Sequence, residues 1–170
     1  LRRWSNDDVV PRPGDVFQER LYCIRWINAK CERRYAAPEA ADLARETTVL
    51  ELLRERFTEW QREGFIPSKA IVSGYNTDQP IRERGWTHWH HLFTPRQLLT
   101  HGLLAEISGR LATSKAAKVG CLLGFGNLSN WNSRLSSWLQ QKGNEKGNNT
   151  FYNQSLNPFY NFSVRPMLKI

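Results

Sequence analysis

The sequence is short of methionine, of cysteine and, in its last third, of acid, and each shortage excludes something. Met167 is the only methionine among 170 residues and residue 1 is leucine. Without an initiator, the chain reads as a piece of a longer protein. Three cysteines, Cys23, Cys31 and Cys121, have neither the number nor the spacing of a disulfide framework or a zinc ribbon, and read as thiols in a reducing cytoplasm. No apolar run approaches the roughly 18 residues of a membrane span. The polar start, Leu1-Arg-Arg-Trp-Ser-Asn-Asp-Asp8, has no signal-peptide core. A cytoplasmic location and no membrane partner are expected.

Two kinds of catalytic machinery are missing as well. Gly120, Gly124 and Gly126 do not follow a convincing strand, and no acidic residue about 20 positions on completes a ribose site, so there is no nucleotide or S-adenosylmethionine loop. The serines cluster at 129–137, away in sequence from the histidines, and no nucleophile–base set stands out. No catalytic or cofactor-binding residue is assigned.

What the chain has is apolar content, aromatic rings and a lopsided charge. Hydrophobic residues make up 40% and aromatics 12%, enough for a core and too much for global disorder. Net charge is +8, and residues 114–170 hold seven Lys and Arg against Glu145 alone. A field of that sign attracts polyanions, nucleic acid first.

The patterning predicts an α-rich α+β fold in four stretches. Residues 1–37 are a polar lead-in, with Pro11, Pro13 and Gly14 against regular structure, followed by a β-hairpin. Its strands are the alternating segment Glu19–Ile27 and Cys31–Tyr35 across an Asn28-Ala29-Lys30 turn. Residues 38–84 hold a long amphipathic helix from Pro38 to Glu63, with Leu43, Thr47, Leu50, Leu53, Phe57 and Trp60 on one stripe and Gly64 past its end. A helix-free linker completes that stretch. Residues 85–141 form a capped helical pair. Thr94-Pro95-Arg96-Gln97 is a capping box by type and starts a helix to about Ala112, in which Gly102 marks a close helix contact. A second, uneven helical region runs from near Ser114 to about residue 140, with a break expected near Gly126. Residues 142–170 are an irregular basic tail, Asn- and aromatic-rich, in which 142–150 is a loop.

The densest stretch is Gly85–Leu104, with Trp86, His88, Trp89, His90 and His91 within six residues and His101 further on. If residues 86–91 are extended, His88 and His90 share a face and a metal site can be drawn, the basis for a metal-dependent nuclease reading. Carboxylate or thiolate ligands are missing until Glu106, so no metal ligand is assigned. The ordinary alternative is aromatic packing with hydrogen-bonded imidazoles. Contact with nucleic acid is the third reading, through Trp89, His90, Arg96, Lys115, Lys118 and Arg134, with Arg96 the best placed.

Asn157-Pro158-Phe159-Tyr160 is close to the motif with which DNA amino-methyltransferases hold a flipped base, Asn or Asp followed by Pro-Pro and an aromatic. Phe159 stands where the second proline belongs, and the rigidity that aims the two acceptors goes with it.

Gly85-Trp-Thr-His-Trp-His-His-Leu-Phe-Thr-Pro-Arg-Gln-Leu-Leu99 resembles a block of the large adenine-specific DNA methylases that carry a zinc ribbon. Other pieces resemble that family in the same order: Asp15–Trp26, Arg34–Leu43, Asn130-Trp-Asn-Ser-Arg-Leu-Ser-Ser-Trp138 and Leu156-Asn-Pro-Phe159. The resemblance implies a middle region, after the cofactor-binding half and zinc ribbon and before the catalytic Asp-Pro-Pro-Tyr. It makes Asn157-Pro-Phe a non-catalytic motif. S-adenosylmethionine and zinc are implied for the parent only, an α/β methyltransferase acting on adenine N6. The segment's own expected partners are DNA and the missing catalytic core. The alternative is a structural insertion that docks on that core through exposed aromatics.

Overall fold

The computed structural model describes residues 1–140, 145–150 and 162–164. It is α+β and helix-rich, with two small antiparallel sheets of two strands each. The order is β1 (Ile24–Ile27), β2 (Arg33–Ala36), α1 (Ala40–Glu63), α2 (Asp78–Arg84), a 3-10 turn (Trp89–Leu92), α3 (Pro95–Leu111), α4 (Lys115–Trp131), β3 (Trp138–Leu139) and β4 (Lys146–Gly147).

The hairpin is present but shorter than expected, pairing Ile24 with Ala36 and Ile27 with Arg33. Helix α1 begins two residues later than Pro38. Glu39 caps it, and its backbone N–H is taken by the Asp42 carboxylate at 3.0 Å. A start at Pro38 would make Ala37 the cap, which has no side-chain acceptor. Gly64 ends the helix in the left-handed region, φ 78°, as a C′ glycine does.

Only the C-terminal half of the α1 stripe is in the core. Leu53, Phe57 and Trp60 are buried with Val9, Ile66 and Leu98, whereas Leu43 is exposed. Helix α3 lies across them, and Gly102 is the reason it can come so close. A Cβ at Gly102 would stand 2.2 Å from the Trp60 ring. A second cluster, Trp4, Trp86, Leu92 and Leu135, ties the N-terminal segment to the stretch before α3 and the turn after α4. Here Gly85 is needed twice over: its φ is 75°, and a Cβ would meet the Arg2 carbonyl oxygen at 2.0 Å. The same approach lets Trp4 N–H reach the Gly85 carbonyl at 2.8 Å.

Four readings need correction. The passage 65–84 contains a helix, α2. The Asp78 carboxylate takes Ser73 Oγ and the Gly74 N–H in front of it, Pro80 occupies the first turn where a missing N–H costs nothing, and Gly85 closes it. Residues 86–91 are not one extended run, because the 3-10 turn begins at Trp89. Helix α4 continues through Gly126 and stops at Trp131 rather than near 140. Beyond it Asn132–Ser137 is a turn in which Ser133 and Ser136 side chains bond backbone N–H groups, the usual way serine competes with a helix. Part of the expected 142–150 loop is β4, paired with Trp138 and Leu139. Phe151, Tyr152 and the Asn157-Pro158-Phe159-Tyr160 motif lie outside the described residues.

The α3 cap is as the sequence implies. Gln97 N–H donates to Thr94 Oγ1 at 3.3 Å, and Thr94 N–H donates to Gln97 Oε1 at 2.8 Å. Helix α4 packs on α3 but none of its residues is buried. A shallow groove between them is lined by Leu104, Ser108, Cys121, Gly124, Phe125 and Leu128.

The two close approaches set the first prediction. Gly102→Ala should destabilise the fold by about 1–3 kcal/mol through overpacking against Trp60. Gly85→Ala should cost more, since it meets backbone and adds left-handed strain. Urea unfolding midpoints at equal slope would measure both, and a neutral Gly102→Ala would refute the helix contact.

Candidate functional site: a buried histidine–arginine junction

The residues with chemical potential converge where the 3-10 turn meets the turn after α4. Arg134 is at the centre and its side chain is 0% exposed. A guanidinium has five N–H donors, and all five are used. Nε and one Nη2 hydrogen go to the two Glu19 oxygens at 2.6 and 2.8 Å. The other Nη2 hydrogen meets the Val9 carbonyl at 3.0 Å. Nη1 donates to the carbonyls of His91, at 2.7 Å, and Phe93. Its backbone N–H donates to the Leu92 carbonyl at 2.7 Å. The Trp4 and Trp86 rings lie 5.5 and 5.7 Å from the guanidinium carbon. One side chain thus joins the N-terminal segment, the 3-10 turn and the turn after α4.

The histidines around it are equally committed. His91 Nδ1 accepts the N–H groups of Thr87 and His88 at 3.0 and 3.2 Å, so Nε2 carries the proton and donates to the Ser5 carbonyl at 3.0 Å. Both ring nitrogens are occupied with the ring neutral. His90 is buried against Phe57 and His91, with Gln61 Nε2 3.4 Å from its Nδ1. Its Nε2 makes no hydrogen bond of good geometry among the described residues, although the Asn6 and Pro67 backbone favours the charged ring. His88 Nδ1 is 2.9 Å from Thr87 Oγ1, which donates to the Trp4 carbonyl at 2.5 Å. His101, on α3, is buried edge-on to Phe93, and its Nε2 has no hydrogen-bond partner among the described residues.

Burial sets the acid–base character of these rings. It pushes His90 down to about 4, helped by the charges of His88 and Arg134. Burial and then His90 push His91 down to about 3, and burial alone pushes His101 down to about 4. The neighbouring Asp8 behaves oppositely. Burial works against its ionisation, but hydrogen bonds from Arg2 and Arg12 prevail and hold it at about 2. Asp15, bonded twice by Arg2, is also held at about 2.

The structure separates the six residues proposed from sequence. His90 and Arg134 are fully buried, both 0% exposed. Trp89 is half-buried against the second core cluster. Arg96 is half-buried and paired with Glu46, its Nη2 at 2.6 Å. Lys115 and Lys118 are exposed at the start of α4 and make no ion pair among the described residues. Sequence reasoning missed Glu19, the partner of Arg134 from 115 residues away, for which no local signal exists. It also missed the Ser133–Ser136–Thr150 hydroxyl cluster behind the junction.

This geometry is that of a structural junction. Among the described residues no group of three His, Cys, Asp or Glu is arranged to hold a metal ion. His91 has no lone pair left to ligate one. No family model, no curated protein and no solved structure matches the chain.

Neutral buried histidines make stability depend on pH with a definite sign. In the unfolded chain they protonate near 6.5, whereas in the fold they resist down to about 4 or 3. Between those limits the unfolded state binds more protons, so stability falls as pH falls, by up to about 1.4 kcal/mol per pH unit for each ring. The Asp8 and Asp15 contributions are lost only later, from about 4 towards 2. Urea unfolding at about pH 7.5, 6 and 5 should show a steady decline. A flat profile across that window would contradict the neutral, buried histidines.

Proposed function

We propose that this chain is a non-catalytic middle segment of a DNA adenine-N6 methyltransferase and that it contributes DNA contact or target-site organisation. The Gly85–Leu99 block motivates the enzyme class by resemblance. S-adenosylmethionine and zinc belong, in this reading, to the parent, and no residue here is assigned to either.

One observation supports the contact role above others. The histidines and rings of the central block are buried or half-buried, while two exposed cations that make no ion pair among the described residues, Lys115 and Lys118, open α4. That placement does not serve the helix. A helix N-terminus carries about half a positive charge, so lysines in the first turn are unfavourable by a few tenths of a kcal/mol each. The first turn of α4 holds no acid to offset them. A DNA phosphate at this end would satisfy both lysines and the helix dipole together. Arg96 enters the same reading as an auxiliary contact that exchanges Glu46 for phosphate.

A second reading, a docking insertion for the rest of the parent, draws on α4. Its Leu122 and Leu123 are 69% and 72% exposed, and none of its residues is buried. Binding of the chain to duplex DNA across a salt series separates the two. The contact role predicts affinity that falls steeply with salt, with Lys115→Ala and Lys118→Ala each lowering the slope by about one. A chain that binds no DNA at low salt, yet is retained by the parent's catalytic half, would replace contact by docking.

A further inference from the structure

The β1–β2 hairpin has two faces with different fates. Residues directly opposite in an antiparallel pair share a face. Arg25 is opposite Tyr35 and Ile27 opposite Arg33, which makes the inner face. It is docked. Arg25 donates to the Glu145 carbonyl at 2.7 Å and lies 4.9 Å from the Trp138 ring centre, and the Tyr35 hydroxyl donates to the Glu145 carboxylate. Tyr35 and Trp138 meet edge to face. This packing holds a two-stranded ribbon that would be marginal alone.

The other face is open at Trp26 and Arg34 and half-buried at Ile24 and Ala36. It carries Trp26 opposite Arg34, with Ile24 and Ala36 beside them. Trp26 is 44% exposed, and Arg34 is exposed with a side chain that makes no hydrogen bond or ion pair among the described residues. Tyr22, 58% exposed, leads into this strand, and exposed Arg20 and Lys30 stand before it and in the turn. Residues 20–36 contain five Lys and Arg against Glu32 alone, and Glu32 is engaged by Asn28.

The composition of this face decides its partner. Rings interleaved with unpaired cations suit a chain that alternates flat bases with phosphates. An acidic protein surface would match the cations but give the indole no face to stack on. A duplex would offer phosphates, but its bases are already stacked on one another. We propose that the outer face of the β1–β2 hairpin binds unpaired DNA, with Trp26 stacked on a base and Arg34 meeting the adjoining phosphate. This rests on the DNA-contact reading above and adds to it a second surface and a strand preference.

The test is anisotropy of a fluorescein-labelled oligothymidine titrated with the 170-residue chain. The proposal expects binding that unlabelled duplex displaces poorly. Trp26→Ala should weaken it about tenfold or more, Trp26→Phe should retain most of it, and Arg34→Ala should weaken it and lower its salt slope. Far-ultraviolet circular dichroism checks that each exposed substitution leaves the fold intact. Wild-type affinity in both Trp26→Ala and Arg34→Ala overturns the hairpin surface. If Lys115→Ala with Lys118→Ala abolishes binding while the hairpin variants bind normally, the hairpin proposal falls and the α4 contact stands. If the wild-type chain binds neither single-stranded nor duplex DNA, both fall.

Discussion

Everything else in the fold leans on the saturation of one guanidinium. Arg134 has five donors, and Glu19, Val9, His91 and Phe93 supply the five acceptors. A fully buried cation is tolerated only when paired and hydrogen-bonded throughout, so each acceptor must be where it is. That requirement places the N-terminal segment, which contains no helix or strand before Ile24. It fixes the 3-10 turn that precedes α3, and it holds the turn after α4 against both. Trp4, Trp86, Leu92 and Leu135 then close an apolar shell around the same point.

The histidines follow from that arrangement. Three imidazoles within a few residues invite a catalytic or metal-binding interpretation, but each ring is placed as a connector. His91 bridges the Thr87 and His88 amides to the Ser5 carbonyl. His90 fills the space between Phe57 and His91. Their low basicity, caused chiefly by burial, keeps them neutral and able to accept as well as donate. A recognisable block can therefore be scaffold. The surfaces proposed for DNA are instead the exposed start of α4 and the open part of the hairpin.

What could be read from the residues was local. The hairpin alternation, the α1 stripe, the Gly64 stop and the Thr94–Gln97 capping box are all short-range signals, and all have counterparts in the structure. Gly102 stood out because a glycine inside a helix is unfavourable without a reason, and Trp60 is the reason. The failures were long-range. Apolar spacing in α4 looks like a core stripe, yet the described residues cover it only in part: Cys121, Phe125 and Leu128 are half-buried towards α3, while Leu122 and Leu123 are exposed. Basic character marked Arg134 as a surface cation, because no periodicity reveals an acceptor such as Glu19. Helix α2 was hidden by Gly74, Asn76, Asp78 and Pro80, turn formers that here build the helix's entry rather than prevent it.

The most direct measurement is the equilibrium unfolding of Arg134→Lys beside the wild type. Lysine keeps the charge but has three donors on one nitrogen and no planar fork, so it cannot meet acceptors spread over three segments. The account predicts a loss of about 3 kcal/mol or more, the scale for breaking a buried, hydrogen-bonded ion pair. A stability within about 0.5 kcal/mol of wild type, the range of an ordinary surface substitution, would contradict it.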